Sequence, residues 1–178
     1  MSLRVVAGRH RGRRLRTPPG RGTRPTADRV REALFAILGP VEGVAVLDLF
    51  AGSGALGIEA LSRGAASATF VERDRRAAAV VRANLDALGE DGEVVVRDAL
   101  AWLAAPPAEA TFGLVLVDPP YDSVPRLGAA LSERLPAVLS DDAVIVTESD
   151  KRTPLALDLP LADERVYGDT RIALHRGR

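Results

Sequence analysis

The chain has 178 residues, 47% hydrophobic and 27% charged, with no cysteine and only two histidines, His10 and His175. This fits one compact domain and excludes disulfides, thiolate metal sites, thiol nucleophiles and a histidine-rich metal centre, so no metal is expected. No run approaches the roughly 18–20 apolar residues that span a bilayer, and the basic N-terminus lacks the apolar stretch of a secretory signal; a cytoplasmic protein without a membrane partner is expected.

The formal net charge of zero hides a polarity. Residues 1–24 hold eight arginines and no acid, leaving 16 basic and all 24 acidic residues to the other 154. A basic arm on an acidic body predicts a polyanionic partner held at one end. The arm is expected over residues 1–23 as a hairpin or irregular segment. Residues 3–7 read as a short strand, Val5, Val6 and Leu15 are apolar enough to pack, and Gly8, Gly12, Pro18, Pro19, Gly20 and Gly22 punctuate the rest. Its candidate nucleic-acid contacts are Arg4, Arg9, Arg11, Arg13, Arg14, Arg16 and, just beyond, Arg24.

A domain over residues 24–178 follows. Thr26 can cap a helix at 27–38, with Asp28 in its first turn, Val30, Ala33, Leu34, Ile37 and Leu38 on one face, and Gly39-Pro40 as its stop. From Val44 the pattern alternates. Strands are expected at 44–50, 68–71, 93–96, 114–117 and 143–147, with helices at 55–63, 74–88, 99–103 and 127–135 between them. Two last strands, 164–167 and 170–175, meet at Gly168-Asp169, a tight-turn signal. Apolar strands alternating with helices predict an α/β fold, a parallel sheet covered on both faces, and the terminal hairpin adds an antiparallel edge.

The first turn, Gly52-Ser53-Gly54-Ala55-Leu56-Gly57, matches G-x-G-x-x-G, with Glu72 twenty residues past Gly52. Alone, that is the dinucleotide fingerprint, and a nicotinamide-dependent oxidoreductase is one reading. Asp48 argues against it, because a carboxylate at the strand end repels a pyrophosphate. S-adenosylmethionine has no phosphates and carries a cationic amine and sulfonium, which a carboxylate favours. Glu72 would then take the ribose hydroxyls, and Asp98 the adenine amine beside the Ala99 backbone, or else cap the short helix after it, or both. Three acids at the carboxyl ends of three successive strands mark the edge where open α/β sheets bind ligands.

The fourth strand ends in Asp118-Pro119-Pro120-Tyr121 at that same edge. An aromatic amine is a poor nucleophile because its lone pair is conjugated with the ring. Asp118 and the Pro119 carbonyl can accept its hydrogens and favour the developing positive charge. Pro119 and Pro120 stiffen the turn and remove competing donors, and Tyr121 offers a face for a flipped-out base. Pyrimidine C5 transfer usually needs a cysteine, which is missing; ribose 2′-O transfer commonly uses a lysine base, and the sole lysine, Lys151, follows the fifth strand without a matching lysine partner.

With Asp48-Leu49-Phe50-Ala51-Gly52-Ser53-Gly54 and Asp118-Pro119-Pro120-Tyr121 together, the chain resembles the class I methyltransferases. More narrowly it resembles the RsmD family, bacterial enzymes that methylate N2 of a guanine in 16S ribosomal RNA. The narrower match rests on Arg4-Val5-Val6-Ala7-Gly8, Arg11-Gly12-Arg13, Arg24-Pro25-Thr26, Asp28-Arg29-Val30-Arg31-Glu32, residues 54–64 and Tyr167-Gly168-Asp169-Thr170. The resemblance implies a Rossmann-like seven-stranded sheet, a small N-terminal β-extension for RNA, Asp118 as the catalytic position, and a substrate presented on an assembling small subunit to a protein expected to be a monomer. The candidate cofactor set is Asp48, Phe50, Ala51, Gly52, Ser53, Gly54, Glu72, Arg73, Asp98 and Ala99. Thr26, with Arg24, would approach the cofactor's methionine end or the target phosphate, or serve only as helix cap and surface charge. An adenine-N6 methyltransferase of DNA or RNA would show the same two motifs.

Overall fold

The computed structural model describes residues 3–19, 27–120 and 123–177. Arg24, Thr26 and Tyr121 lie outside the described residues. In chain order the elements are α1 (Ala27–Leu38), β1 (Ala45–Leu49), α2 (Ala55–Ser62), β2 (Ser67–Glu72), α3 (Arg75–Leu88), β3 (Glu93–Val96), α4 (Ala99–Leu103), β4 (Phe112–Val117), α5 (Val124–Arg134), a 3-10 turn (Leu135–Val138), β5 (Leu139–Asp150), β6 (Leu161–Tyr167) and β7 (Thr170–Arg176).

The strands form one seven-stranded sheet in the order β3-β2-β1-β4-β5-β7-β6. β1 to β5 run parallel, and β7 runs antiparallel to both β5 and β6. The β6–β7 hairpin closes in two residues, Gly168 and Asp169, with Gly168 at φ 63, the position where such a turn wants glycine. β5 is longer than its apolar run predicts. Its polar end, Glu148 to Asp150, becomes strand because β7 pairs with it as far as Asp150 opposite Thr170. α5 starts three residues before the expected 127, with a proline in its first turn.

Two cores cover the sheet. Leu34, Phe35, Ile58, Phe70, Val81, Leu116 and Val146 fill the side under α1, α2 and α3. Trp102, Leu127, Leu131, Val115, Val117 and Ile145 fill the side under α4 and α5. Each such fully buried side chain contributes roughly 1.5–3 kcal/mol.

The N-terminal arm is an ordered hairpin packed into the first core. Val5 N–H donates to the Arg13 carbonyl and Leu15 N–H to that of Leu3, each at 2.9 Å, while Leu3, Val5 and Leu15 are buried. The expected strand at residues 3–7 is reduced to a single bridge, Arg4 to Arg14. Gly8 lies so close to α2 that a Cβ there would sit 1.9 Å from the Ser62 carbonyl oxygen. A buried charge network fastens the arm. The Glu59 carboxylate accepts the N–H groups of Val6 (2.8 Å) and Ala7 (2.9 Å) and pairs with Arg63 (2.8 Å) and Arg31 (3.4 Å). Arg31 also donates to the Arg4 carbonyl.

Candidate active site

The strand order turns back on itself between β1 and β4. The chain moves outward from β1 through β2 to β3, then returns to place β4 on the other side of β1. Such a switch point opens a crevice over the carboxyl ends of its two strands. Leu49 pairs with Val117 across it, and neighbouring strands lie ~4.8 Å apart. The turn beginning at Phe50 and the turn beginning at Asp118 are therefore side by side.

The turn after β1 reverses direction through three left-handed residues, Phe50 (φ 64), Gly52 (φ 59) and Gly54 (φ 78). Phe50 is the one non-glycine residue at positive φ among those described. Such a conformation stores on the order of 1 kcal/mol and persists only where its surroundings impose it. Ala51 N–H donates to the Val71 carbonyl and Gly54 N–H to that of Ala51, which fixes the turn. Gly57 has a different task. A Cβ there would lie 2.4 Å from the Phe70 ring, so its absence lets α2 settle on the sheet. That approach brings Gly57 N–H to 2.9 Å from Asp48 Oδ2.

Asp48 is buried, at 1% exposure. Burial pushes its carboxyl up to about 7; the Gly57 hydrogen bond opposes this, and the nearby charges of Asp118 and Glu72 add to it. Asp48, Glu72 and Asp118 together place three carboxyl groups at this edge, an arrangement that favours a cation. Glu72 is also buried, and both its oxygens hold backbone: Oε2 accepts Gly52 N–H and Oε1 accepts Asp74 N–H, each at 2.8 Å. Each oxygen keeps a second lone pair for a hydroxyl. Asp98 caps α4, its Oδ1 accepting Ala101 N–H at 3.0 Å. Phe50, Val71, Glu72, Arg73, Arg97, Asp98, Ala99 and Pro120 line an open cleft. Five of the expected cofactor residues, Phe50, Glu72, Arg73, Asp98 and Ala99, are thus brought to one cleft, while Ala51, Gly52, Ser53 and Gly54 build the turn at its side.

Asp118 is exposed and Pro119 buried. The Pro120 carbonyl accepts both the N–H (3.0 Å) and the hydroxyl (2.6 Å) of Ser123, which locks the turn. Among the described residues none donates to the Pro119 carbonyl. Asp118 and that carbonyl are the two acceptors the chemistry asks for. Glu148 was missed by sequence reading, which ended the fifth strand at Thr147. Alternation places it on the sheet face of Val144 and Val146, level with Asp118, since Thr147 pairs with Val117.

Asn84 on α3 was also missed. Its Nδ2 donates to the Ser53 carbonyl in the glycine turn (2.9 Å) and to the Arg16 carbonyl (3.0 Å), while its Oδ1 accepts Arg16 N–H (2.8 Å). One buried side chain thus ties arm and turn together. Asn84→Ala strands these backbone groups and is expected to cost about 1–3 kcal/mol, read as a lower midpoint of thermal unfolding. An unchanged midpoint would show that the bridge carries no stability.

The arm's arginines divide. Arg9 pairs with Glu90, Arg4 with Asp28, and Arg13 donates to the Ala87 carbonyl, so these three fasten the arm. Arg11, Arg14 and Arg16 are exposed, and their side chains have no partner among the described residues.

A family described as "Conserved hypothetical protein 95" matches residues 3–176. Ribosomal RNA small subunit methyltransferase D of Escherichia coli strain K12 is 39% identical over 184 residues, covering 98% of this chain and 89% of that protein. The solved structure of a hypothetical protein from Thermus thermophilus covers 98% of this chain and 99% of its own, at a TM-score of 0.81 and 32% identity. A Thermus thermophilus 16S rRNA N2 methyltransferase, RsmC, solved with AdoMet and guanosine, covers 100% of this chain and 50% of its own; at a TM-score of 0.72 and 21% identity the likeness is one of fold.

Proposed function

The chain belongs to the RsmD family of methyltransferases, and from that premise we propose that it transfers a methyl group from S-adenosylmethionine to the N2 amine of a guanine in 16S ribosomal RNA. The observation that carries the reading is the pairing of Leu49 with Val117, which sets the glycine turn beside the Asp118 turn at the switch point. The donor set fits this cofactor. It contains buried carboxylates suited to a cation and to ribose hydroxyls, and the charges of Asp48, Glu72 and Asp118 would repel a pyrophosphate.

Bound there, S-adenosylmethionine supplies an electrophilic methyl group on sulfur, already activated, so no metal is needed. Glu72 accepts the ribose hydroxyls, and Asp98 with Ala99 receives the adenine edge. Ionised Asp48 favours the positive end of the molecule. Asp118 and the Pro119 carbonyl accept the two N–H groups of the target amine and hold its lone pair toward the crevice. The Asp118 carboxylate stabilises the charge that develops on nitrogen and takes the proton that nitrogen then loses. The arm, over residues 1–23, grips RNA through Arg11, Arg14 and Arg16 as the substrate is presented on an assembling small subunit. The protein acts as a monomer in the cytoplasm.

The test is methylation of 16S ribosomal RNA, free and in small subunits, with isotope-labelled S-adenosylmethionine, followed by mass mapping of the product. N2-methylguanosine at one site is expected. Methyladenosine, or label in DNA alone, would replace this reading with the adenine-N6 one. Because Leu3, Val5 and Leu15 belong to the core, the arm is tested by substitution. Changing Arg11, Arg14 and Arg16 together to alanine is expected to lower the slope of RNA affinity against salt by about 2.

A further inference from the structure

The geometry points to a second RNA-binding surface on this chain: the outer face of α3, running from the rim of the cleft to the arm and taking the sugar–phosphate backbone that flanks the target nucleotide. The inference rests on the RNA reading above.

Arg73, Arg75 and Arg76 fall within four residues at the start of α3, and all three are exposed. That is the wrong end of a helix for cations, since the N-terminus carries the positive end of the helix dipole, and the three also repel one another. Arg97 joins Arg73 on the wall of the cleft. None of these four forms an ion pair with a described residue, whereas Arg4, Arg9, Arg31, Arg63 and Arg171 all have carboxylate partners. The acids close to them have backbone duties: Asp74 accepts Arg76 N–H and Asp98 caps α4. Asp74 and Asp98 offset part of this positive charge, but none of the four guanidinium groups is committed to a carboxylate among the described residues, so all four are available to a polyanion. The cofactor has no phosphate and brings positive charge, so it is not that anion.

The surface is continuous. From Arg76, the exposed side of α3 passes Ala79, Arg82 and Ala87, small residues alternating with a cation, with Asp86 as its one acid. At Ala87 it meets the arm, because Arg13 Nη2 donates to the Ala87 carbonyl at 2.8 Å. A helix of 14 residues spans roughly 21 Å, so the track joins the rim of the cleft to the arm's guanidinium groups. Small side chains let a phosphodiester backbone approach the helix closely.

The experiment compares R75A/R76A with the arm variant R11A/R14A/R16A. The probes are 16S ribosomal RNA transcribed in vitro and S-adenosylhomocysteine. RNA affinity is measured across a salt series, and S-adenosylhomocysteine affinity by calorimetry. R75A/R76A is expected to bind RNA about tenfold more weakly at 0.15 M salt and to lose about 1.4 from the log–log salt slope, at roughly 0.7 per phosphate contact. Its affinity for S-adenosylhomocysteine should stay within twofold. An unchanged slope in R75A/R76A beside a reduced slope in the arm variant overturns the α3 surface alone. An unchanged slope in both overturns the RNA reading with it. A loss confined to S-adenosylhomocysteine affinity assigns the arginines to the cofactor and also overturns the proposal.

Discussion

Asp118→Ala is expected to lower the rate of methyl transfer at least about 10³-fold while leaving affinity for S-adenosylhomocysteine within about threefold. The side chain stands at the mouth of the crevice beside β1, and its work is on the amine. In the proposed mechanism it accepts an N–H, holds the lone pair out of conjugation and balances the charge that appears on nitrogen. Losses on this scale are what removing a preorganised charge at a reacting centre produces. Asp118→Asn keeps one carbonyl acceptor and should lose less. Asp118→Ala carries a second signature. The Asp118 charge helps to raise the Asp48 carboxyl, so its removal should move the Asp48 titration to lower pH. Single-turnover methylation and a pH series of cofactor binding read both effects, and an active Asp118→Ala enzyme would remove Asp118 from catalysis.

Cofactor affinity should rise as pH is raised through about 7, because in the proposed site only the ionised Asp48 attracts the cation. With the carboxyl at about 7, the ionised fraction grows close to tenfold between pH 6 and pH 8, and affinity should follow by about tenfold. Stability moves in the opposite sense. Asp48 holds its proton in the folded protein at pH values where the unfolded chain, with an ordinary carboxyl near 3.8, has lost it. Its favourable contribution is complete below about 4 and is lost as pH rises through about 7. Asp48→Asn should therefore flatten the pH dependence of binding, weaken the cofactor at least about tenfold at pH 8, and raise the thermal midpoint there. Residues that cost stability where they serve a ligand commonly behave so. Calorimetry with S-adenosylmethionine at several pH values, beside thermal unfolding, provides the check. A wild-type pH profile in Asp48→Asn would contradict this role for the carboxyl.

The sheet and the crevice were legible because each rests on local patterns. β1 to β4 and the middle of β5 are short apolar runs separated by helices, and the acids Asp48, Glu72, Asp98 and Asp118 stand at or just past strand ends, where spacing alone finds them. The staples that hold the arm were not legible. Glu59 meets Val6 and Ala7 across more than fifty positions, and Asn84 meets Arg16 across 68. Their one local sign was a polar side chain in an otherwise apolar stretch of helix, as with Glu59 between Ile58 and Ala60. The arm's arginines look alike in sequence, and only the docked partner separates Arg9, which fastens the arm, from Arg11, Arg14 and Arg16, whose exposed side chains have no partner among the described residues. Phe50 was named from the sequence, but its left-handed conformation was not legible, for another reason. An aromatic after a strand is expected to stay extended, and only the turn packed around it imposes a positive φ.

A crystal structure of the complex with S-adenosylhomocysteine tests the central claim most directly. The adenosine should lie against Glu72, Asp98 and Phe50, with the sulfur at the mouth between the Phe50 turn and the Asp118 turn. A cofactor seated away from that crevice, or oriented with its sulfur turned from Asp118, would contradict the account.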